Sequence, residues 1–338
     1  MEQEELTTGY IFDIQGFSVH DGPGCRTLIF FKGCSLECAW CSNPEGISFY
    51  PEPLYRNSKC TLDEHCINAC KHGAISIAKN ETCDHLNFRR DICAKCNTYD
   101  CASACCSDAL KIGGYKVSVD DLYNRIHRDR QYWGEGGGIT LTGGEPFAQP
   151  EFAFNFLKHC YEAYIHTAVE TCGNVAWSHY KKALPYIDWI FFDLKTLDES
   201  RGDLLTYSRS PSARPHDLLS ASPPDRLSGY TPISNILENA RRIAQEFPGR
   251  LIFRLPVIPG FNDDAENINN TASFIRSTGR KEVNLLPLHH LGREKYNLLD
   301  KQYYTNNFNI PANGNLENIA QQFKSLGITC YIGSETPF

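Results

Sequence analysis

The sequence lacks a long apolar run, an excess of positive charge, and the apolar stretch near the N-terminus that a signal peptide contains. No stretch approaches the roughly 18 apolar residues of a membrane-spanning helix, so we expect no membrane span. The formal net charge of -7 at pH 7 argues against a nucleic-acid-binding surface. The first residues, MEQEELTTGYIFD, are acidic, so we expect no signal peptide and a cytoplasmic protein.

Cysteine, in contrast, is abundant, with 16 among 338 residues. A secreted disulfide scaffold of this density is usually much shorter, whereas in a reducing compartment clustered cysteines indicate metal or iron–sulfur ligation. Cys34, Cys38 and Cys41 form a C-x3-C-x2-C run. Nine more cysteines crowd into residues 60–106, and the others are isolated, which is typical of small buried side chains.

The crowded segment divides into two similar halves, CTLDEHCINACKHGAISI and CAKCNTYDCASACCSDALKI. They resemble the ferredoxin run C-x2-C-x2-C-x3-C, in which three thiolates bind one [4Fe–4S] cluster and the last cysteine binds the other cluster. The first half lacks one regular cysteine, and Cys83 is the nearest replacement; a pair of zinc sites is the alternative. The candidate ligands are Cys60, Cys66, Cys70, Cys83, Cys93, Cys96, Cys101 and Cys105.

Outside that segment, apolar and β-branched runs alternate with helical patterns. Six successive β/α units predict a parallel sheet, so we expect an α/β fold built as an open or partial (β/α)6 barrel. The predicted strands cover residues 27–31, 138–142, 166–170, 189–193, 251–258 and 283–288. The predicted helices cover residues 118–131, 150–164, 235–247 and 315–326. Residues 198–230, rich in Ser, Pro, Arg and Asp, predict a loop, with a partner-binding segment as the alternative.

Polar motifs mark the carboxyl ends of these strands, the edge at which (β/α) barrels carry their chemistry. The motif residues are Cys34, Cys38, Cys41, Gly143, Gly144, Glu145, Glu170, Thr171, Asp193, Lys195, Arg254 and His289. We therefore expect one site at this edge. Three thiolates on a four-iron cluster leave one iron without a protein ligand. An open coordination position is typical of a catalytic metal site rather than a structural one.

Two of these motifs, C-x3-C-x2-C after the first strand and GGEP after the second, resemble the radical S-adenosylmethionine (SAM) superfamily. DGPG-x-R at residues 21–26 and GC-x3-C-x2-C-x-NPE at residues 33–45 resemble its activating enzymes of glycyl radical enzymes, many of which carry a ferredoxin-like insert. The resemblance implies a radical SAM partial barrel over residues 1–51 and 113–338, with a two-cluster insert over residues 52–112.

Within that family, FSVHDGPGCRT and NLLPLHHLG are most similar to activators of 4-hydroxyphenylacetate decarboxylase. The alternatives are an activator of a glycerol or diol dehydratase or of a choline lyase, another radical SAM enzyme, and, from a different class, an iron–sulfur electron carrier.

The resemblance implies SAM and three [4Fe–4S] clusters, about twelve irons per chain. Cys34, Cys38 and Cys41 would hold the cluster whose open iron binds the amino and carboxylate groups of the methionine moiety. Reduction by a flavodoxin or ferredoxin would cleave SAM to a 5′-deoxyadenosyl radical, which takes a hydrogen atom from a glycine Cα of the partner enzyme. We expect the activating enzyme to be a monomer.

Residue by residue, the resemblance implies that Gly143 and Gly144 let the backbone approach the methionine moiety, and that the Glu145 carboxylate suits its ammonium. Lys195, in a D-x-K run with Asp193, would pair with the methionine carboxylate. The simpler alternatives are a tight turn at the glycines, a helix cap at Asp193 and a solvated lysine at position 195.

Three further strand ends carry residues that the resemblance assigns to the cofactor site. Glu170 and Thr171 match a place beside SAM for a monovalent cation, although aspartate is commoner there than glutamate. Arg254 and His289 would reach the cofactor from the fifth and sixth strands. A structural histidine is the alternative at position 289, and His290 beside it could exchange roles with it.

Overall fold

The computed structural model describes residues 7–79, 84–198, 232–305 and 307–335. Cys83 and nearly all of the predicted loop over residues 198–230 lie outside the described residues. The strands are β1 (Thr8–Ser18), β2 (Arg26–Phe31), β3 (Glu52–Tyr55), β4 (Ile75–Ala78), β5 (His85–Phe88), β6 (Leu110–Gly113), β7 (Tyr115–Ser118), β8 (Gly138–Gly143), β9 (His166–Thr171), β10 (Trp189–Asp193), β11 (Arg250–Val257), β12 (Glu282–Pro287) and β13 (Thr329–Ile332). The α-helices are α1 (His65–Ala69), α2 (Arg90–Cys93), α3 (Asp100–Ser103), α4 (Val119–Ile126), α5 (Pro150–Glu162), α6 (Trp177–Ala183), α7 (Pro232–Glu246), α8 (Ala265–Ser277), α9 (Arg293–Leu298) and α10 (Asn313–Ser325).

A nine-stranded, mostly parallel sheet forms the centre of the fold, in the order β13-β12-β11-β10-β9-β8-β2-β1-β7. The strands from β2 and β8 through β13 are parallel and lie side by side in chain order. At one edge, β1 pairs antiparallel with both β2 and β7. Because all the parallel strands point the same way, their carboxyl ends meet at one edge of the sheet, as the sequence predicted.

All six predicted strands are present, because each is an apolar run long enough to be buried on both faces of a parallel sheet. In β2, for example, every residue is buried. The predicted helices are also present, with ends shifted by a few residues. Ser118 caps α4 by accepting the Asp121 N–H at 3.0 Å, and α10 is followed by Gly327 at a φ of 77°.

The segment between β2 and β7 contains two small antiparallel sheets, β3 with β6 and β4 with β5. Helices α1 and α3 pack against each other, α1 also contacts β4, and α3 also contacts β6. This segment has its own small core, made of Cys66, Ile75, Leu86, Cys101 and Leu110. The segment between the cysteine run and α4 therefore has a small core that is separate from the core of the central sheet. Within the described ranges, no helix has the length and apolar character that crossing a membrane requires.

Candidate functional site

The loop that follows β2 carries the three cysteines of the C-x3-C-x2-C run. The Cys38 and Cys34 thiols interact electrostatically with Cys41 and with each other, so the three side chains lie near one another. Backbone N–H groups point at two of the sulfurs, from Leu36 to Cys34 Sγ at 3.5 Å and from Asn43 to Cys41 Sγ at 3.4 Å. Such N–H groups stabilise thiolates, so the donor set fits an iron–sulfur cluster.

Electrostatics show why these thiols need a positive partner. Burial raises the pKa of Cys38 to about 12 and that of Cys41 to about 11. Three neighbouring thiolates repel one another, and a bound metal cluster removes that repulsion. Cys172, buried at the end of β9, hydrogen-bonds to Cys34 and thereby lowers the pKa of Cys34.

Gly143 and Gly144 allow the cysteine loop to press against the end of β8. Gly144 N–H donates to Phe31 O at 2.8 Å, and Glu145 N–H donates to Gly33 O at 2.7 Å. A Cβ on Gly144 would lie 2.4 Å from Gly33 O and 2.6 Å from Gly46 O. Close packing of protein backbone against backbone is therefore a sufficient reason for glycine here.

Glu145 is fully buried, and its carboxylate is surrounded by donors from the protein itself. It accepts the Phe147 N–H at 3.1 Å, the Cys172 N–H at 2.8 Å and the Thr171 hydroxyl at 2.8 Å. Burial raises the pKa of Glu145. In this arrangement the carboxylate ties the end of β8 to the end of β9, and its contact with a methionine ammonium stays a prediction.

Asp193 and Lys195 form an ion pair at the end of β10, with Nζ and Oδ2 2.8 Å apart. The Lys195 side chain is 10% exposed, which excludes the alternative of a solvated lysine. Although burial lowers the pKa of Lys195, the charges of Asp193 and Cys38 raise it above its usual value, so the ammonium stays charged beside the thiols. Asn262 holds the backbone in place by donating its side-chain N–H to Lys195 O at 2.7 Å.

Glu170 and Arg254 form a second, nearly buried ion pair. Thr142 donates its hydroxyl to Glu170 at 2.6 Å, and the guanidinium lies over the Phe191 ring, 4.0 Å from its centroid. Burial raises the pKa of Glu170 to about 7, although the Arg254 charge acts in the opposite direction. Arg254 Nε is buried and has no hydrogen-bond partner within the described part of the chain, so it is an available donor.

The structure separates two residues that the sequence grouped. Glu170 and Thr171 are neighbours on β9, so their side chains point to opposite faces of the sheet. Glu170 meets Arg254, whereas the Thr171 hydroxyl meets Glu145 and Tyr180. A cation site shared by both side chains is therefore not formed, and a cation beside Glu170 stays a prediction.

His289 is exposed and has no hydrogen bond to the other predicted site residues within the described ranges. His290 is the more constrained of the two histidines, with 2.9 Å contacts to the Tyr303 hydroxyl and to Phe308 O. The structural alternative therefore fits His290, and a cofactor contact by His289 stays a prediction.

Sequence reasoning missed the structural role of Asp21 and Arg26 in the DGPG-x-R run. Arg26 is fully buried and donates from Nε to the Thr140 hydroxyl at 2.7 Å and from a terminal nitrogen to Pro23 O at 2.9 Å. Asp21 lies 3.7 Å from the Arg254 guanidinium. The sequence did contain a signal for this role, an arginine at the start of the apolar run RTLIFF, because a buried arginine almost always has polar or charged partners.

The insert cysteines sort into two groups. One, called here the Cys101 group, contains Cys70, Cys93, Cys96 and Cys101, which interact electrostatically with one another. The other, the Cys66 group, contains Cys60, Cys66 and Cys105. The last cysteine of each half joins the group of the other half. Cys70 lies with the Cys101 group, and Cys105 lies with the Cys66 group. Among the residues with described positions, no three His, Cys, Asp or Glu side chains are arranged to hold a single metal ion.

Breaking the Glu170–Arg254 pair has a predictable cost. Replacing Arg254 by Met leaves a buried carboxylate unpaired, so we expect the free energy of unfolding to fall by about 3–5 kcal/mol. The double variant Arg254→Met, Glu170→Gln should recover part of this loss. Lys182→Met, which breaks an exposed pair with Glu151, should cost less than about 1 kcal/mol. Anaerobic urea denaturation measures all three, and equal effects of Arg254→Met and Lys182→Met would refute the assignment.

Comparison with known proteins agrees with this geometry. The Radical SAM superfamily matches the chain over residues 28–272. The chain is 37% identical over 333 residues to the 4-hydroxyphenylacetate decarboxylase activating enzyme of Clostridium scatologenes, which covers 98% of this chain and 99% of that protein.

Two further relatives are activating enzymes with other partners. The isethionate sulfite-lyase activating enzyme of Oleidesulfovibrio alaskensis is 41% identical over 309 residues, 89% of this chain and 90% of that protein. The indoleacetate decarboxylase activating enzyme of Tractidigestivibacter scatoligenes is 35% identical over 328 residues, which cover 95% of this chain and 96% of that protein. The resemblance in the sequence motifs is thus confirmed, and the chain belongs to the radical SAM superfamily and, within it, to the activating enzymes of glycyl radical enzymes.

Proposed function

We propose that the chain activates an arylacetate decarboxylase of the 4-hydroxyphenylacetate type by forming a glycyl radical in it. The observation that carries the activity is the cysteine loop pressed against the Gly143–Glu145 strand end beside the buried Asp193–Lys195 pair. When bound, SAM and the cluster supply reductive cleavage to a 5′-deoxyadenosyl radical, which takes the hydrogen atom from the partner's glycine.

The roles of this chain's own residues follow from charge and position. Cys34, Cys38 and Cys41 would hold the cluster and leave one iron without a protein ligand. The Lys195 ammonium, beside these thiols, would pair with the methionine carboxylate. The backbone at Gly143 and Gly144 would receive the methionine amino group, while Glu145 keeps the strand end in shape.

Residues farther along the edge would contact the rest of the cofactor. The Nε of Arg254, which has no hydrogen-bond partner among the described residues, is a donor available to an oxygen of SAM. Glu170, Thr171 and His289 remain proposed site residues, with Thr171 acting through Glu145 and not by direct contact. A monovalent cation beside Glu170 would have to share that carboxylate with Arg254.

We also propose the finer architecture, a partial (β/α) barrel over residues 1–51 and 113–338 with a ferredoxin-like insert over residues 52–112. Parallel strands in chain order support the barrel. Two antiparallel strand pairs and the crossed membership of the two cysteine groups support the insert, which would hold two [4Fe–4S] clusters. A flavodoxin or ferredoxin would donate the electron to a monomeric enzyme in the cytoplasm, a compartment that keeps these cysteines reduced.

The choice of partner is supported by the relatives that span nearly the whole chain, since two of them are named for decarboxylases of arylacetates. Isethionate sulfite-lyase is the second candidate, because its activating enzyme has the higher identity over a shorter span. The two candidates differ in the protein substrate and not in the radical chemistry.

The test is glycyl radical formation in purified partners. We expect the reconstituted chain, with SAM and a reductant under anaerobic conditions, to form the radical in 4-hydroxyphenylacetate decarboxylase at least about tenfold faster than in isethionate sulfite-lyase. Electron paramagnetic resonance (EPR) measures the radical, and a partner with its radical glycine replaced by alanine is the control. The reverse order would make the lyase the partner.

Two other results would exclude both of these partners. Formation of 5′-deoxyadenosine with no radical in either partner would indicate a different glycyl radical enzyme as the partner, or another radical SAM reaction. A protein with full iron content that forms no 5′-deoxyadenosine would be an electron carrier.

A further inference from the structure

The first half of the insert, CTLDEHCINAC, has an aspartate where the second regular cysteine would stand. Asp63 is the third residue after Cys60 and the third before Cys66, so the run reads C-x2-D-x2-C-x3-C and ends at Cys70. This is the ferredoxin spacing with one thiolate replaced by a carboxylate. Iron accepts carboxylate ligands as well as thiolates, so the replacement keeps a possible ligand at that place.

The described cysteines leave room for one such ligand. The Cys101 group already has four thiols, enough to complete a four-iron cluster. The Cys66 group has three among the residues that the structure places. Asp63 lies in the loop between two members of this group, Cys60 and Cys66.

Both halves of the insert have a residue with a positive φ directly before a helix. Glu64, with a φ of 60°, comes directly before α1, and Tyr99, with a φ of 50°, comes directly before α3. Each helix then carries one cysteine, Cys66 or Cys101, and ends beside the next. The two loops therefore enter their helices in a similar way, but the second loop is two residues longer, so Asp63 corresponds to Cys96 in its order along the run and not in its distance from the helix.

Asp63 also has the local hydrogen bonding of a cluster ligand in this chain. Its Oδ1 accepts the N–H of His65, two residues later, at 3.2 Å. Cys34 and Cys41 each accept the N–H of the second following residue in the same way. Asp63 is exposed and forms no ion pair with a described residue. Its Oδ2 accepts the Thr61 hydroxyl at 2.9 Å, so iron binding at that oxygen requires the hydroxyl to rotate away.

We propose that Asp63 is the fourth protein ligand of the iron–sulfur cluster held by the Cys66 group. The proposal rests on the proposed function of the insert as a two-cluster unit. Because a thiolate is the softer and stronger ligand for cluster iron, the iron at Asp63 should be the first to be lost on oxidation.

The test uses the full chain with Cys34, Cys38 and Cys41 replaced by alanine, so that only the insert clusters contribute. We expect Asp63→Ala to lower the iron content from about eight to about seven per chain and to produce the EPR signal of an oxidised three-iron cluster. Asp63→Cys should restore about eight irons and an EPR-silent oxidised state, since it completes the regular cysteine run. Mössbauer spectra would show the same change at one iron.

The controls are Asp91→Ala, which removes an exposed insert carboxylate, and Cys83→Ala, which removes the other candidate ligand. Neither should change the iron content or the EPR spectrum. The proposal is wrong if Asp63→Ala keeps all the iron and gives no three-iron signal, or if Cys83→Ala produces that signal instead. If the chain with only Cys34, Cys38 and Cys41 replaced held no iron, the proposal that the insert binds two clusters would itself be wrong. This result can be told apart from a failure of the Asp63 assignment alone.

Discussion

Replacing Cys38 by alanine is expected to abolish 5′-deoxyadenosine formation and to lower the iron content from about twelve to about eight per chain. Cys38 lies near Cys34, Cys41 and Lys195. Its loss would leave two thiolates to hold the proposed cluster, in which one iron already has no protein ligand. The loss should therefore be nearly complete, whereas removing a contact to the cofactor alone would leave the iron in place.

A cysteine elsewhere separates this effect from a general sensitivity to cysteine loss. Cys106 is exposed, lies in the insert and belongs to neither cysteine group. Cys106→Ala should keep both the iron content and the product. Anaerobic iron and sulfide analysis, with chromatography of the nucleoside product, measures the two variants side by side. Product formation by Cys38→Ala would remove the ligand assignment on which the catalytic site depends.

The parallel strands were predictable because each is a run of apolar residues that a sheet covered on both faces requires. Strand β13, the added seventh parallel strand, has only four residues, and β1 is half exposed with a mixed sequence, so neither gives a periodic signal. Helices α6 and α8 were also missed. Tertiary pairing, and not local preference, places β1 beside β2 and β7.

The sequence predicted which residues lie together when their position along a strand determines this. It predicted less well the contacts that depend on the direction of a side chain. The end of β10 brought Asp193 and Lys195 beside the thiols. Glu145, however, turns inward because two backbone N–H groups and a hydroxyl lie on that side. Two of these donors could not be read from the local sequence, since Thr171 and Cys172 come from the end of the next strand, whereas the Phe147 N–H is only two residues away.

Replacing Gly144 by alanine is the second change with a large expected effect. The added methyl group would meet two backbone carbonyl oxygens, Gly33 O at 2.4 Å and Gly46 O at 2.6 Å, at the two ends of the cysteine loop. Backbone atoms cannot move aside locally as the end of a flexible side chain can, so the whole cysteine loop must move away from β8. We expect a loss of about 1–3 kcal/mol in stability and a fall in 5′-deoxyadenosine formation of about a hundredfold.

The matched control is Gly314→Ala on α10, where the added methyl group meets no atom within 4 Å. It should leave activity unchanged and raise stability by up to about 1 kcal/mol, because alanine is the better helix former. Thermal unfolding and product assays on the two reconstituted variants give the comparison. Close approach of the cofactor alone would explain lost activity in Gly144→Ala but not lost stability. Unfolding of the cofactor-free protein therefore decides whether this glycine serves the cysteine loop, the ligand or both.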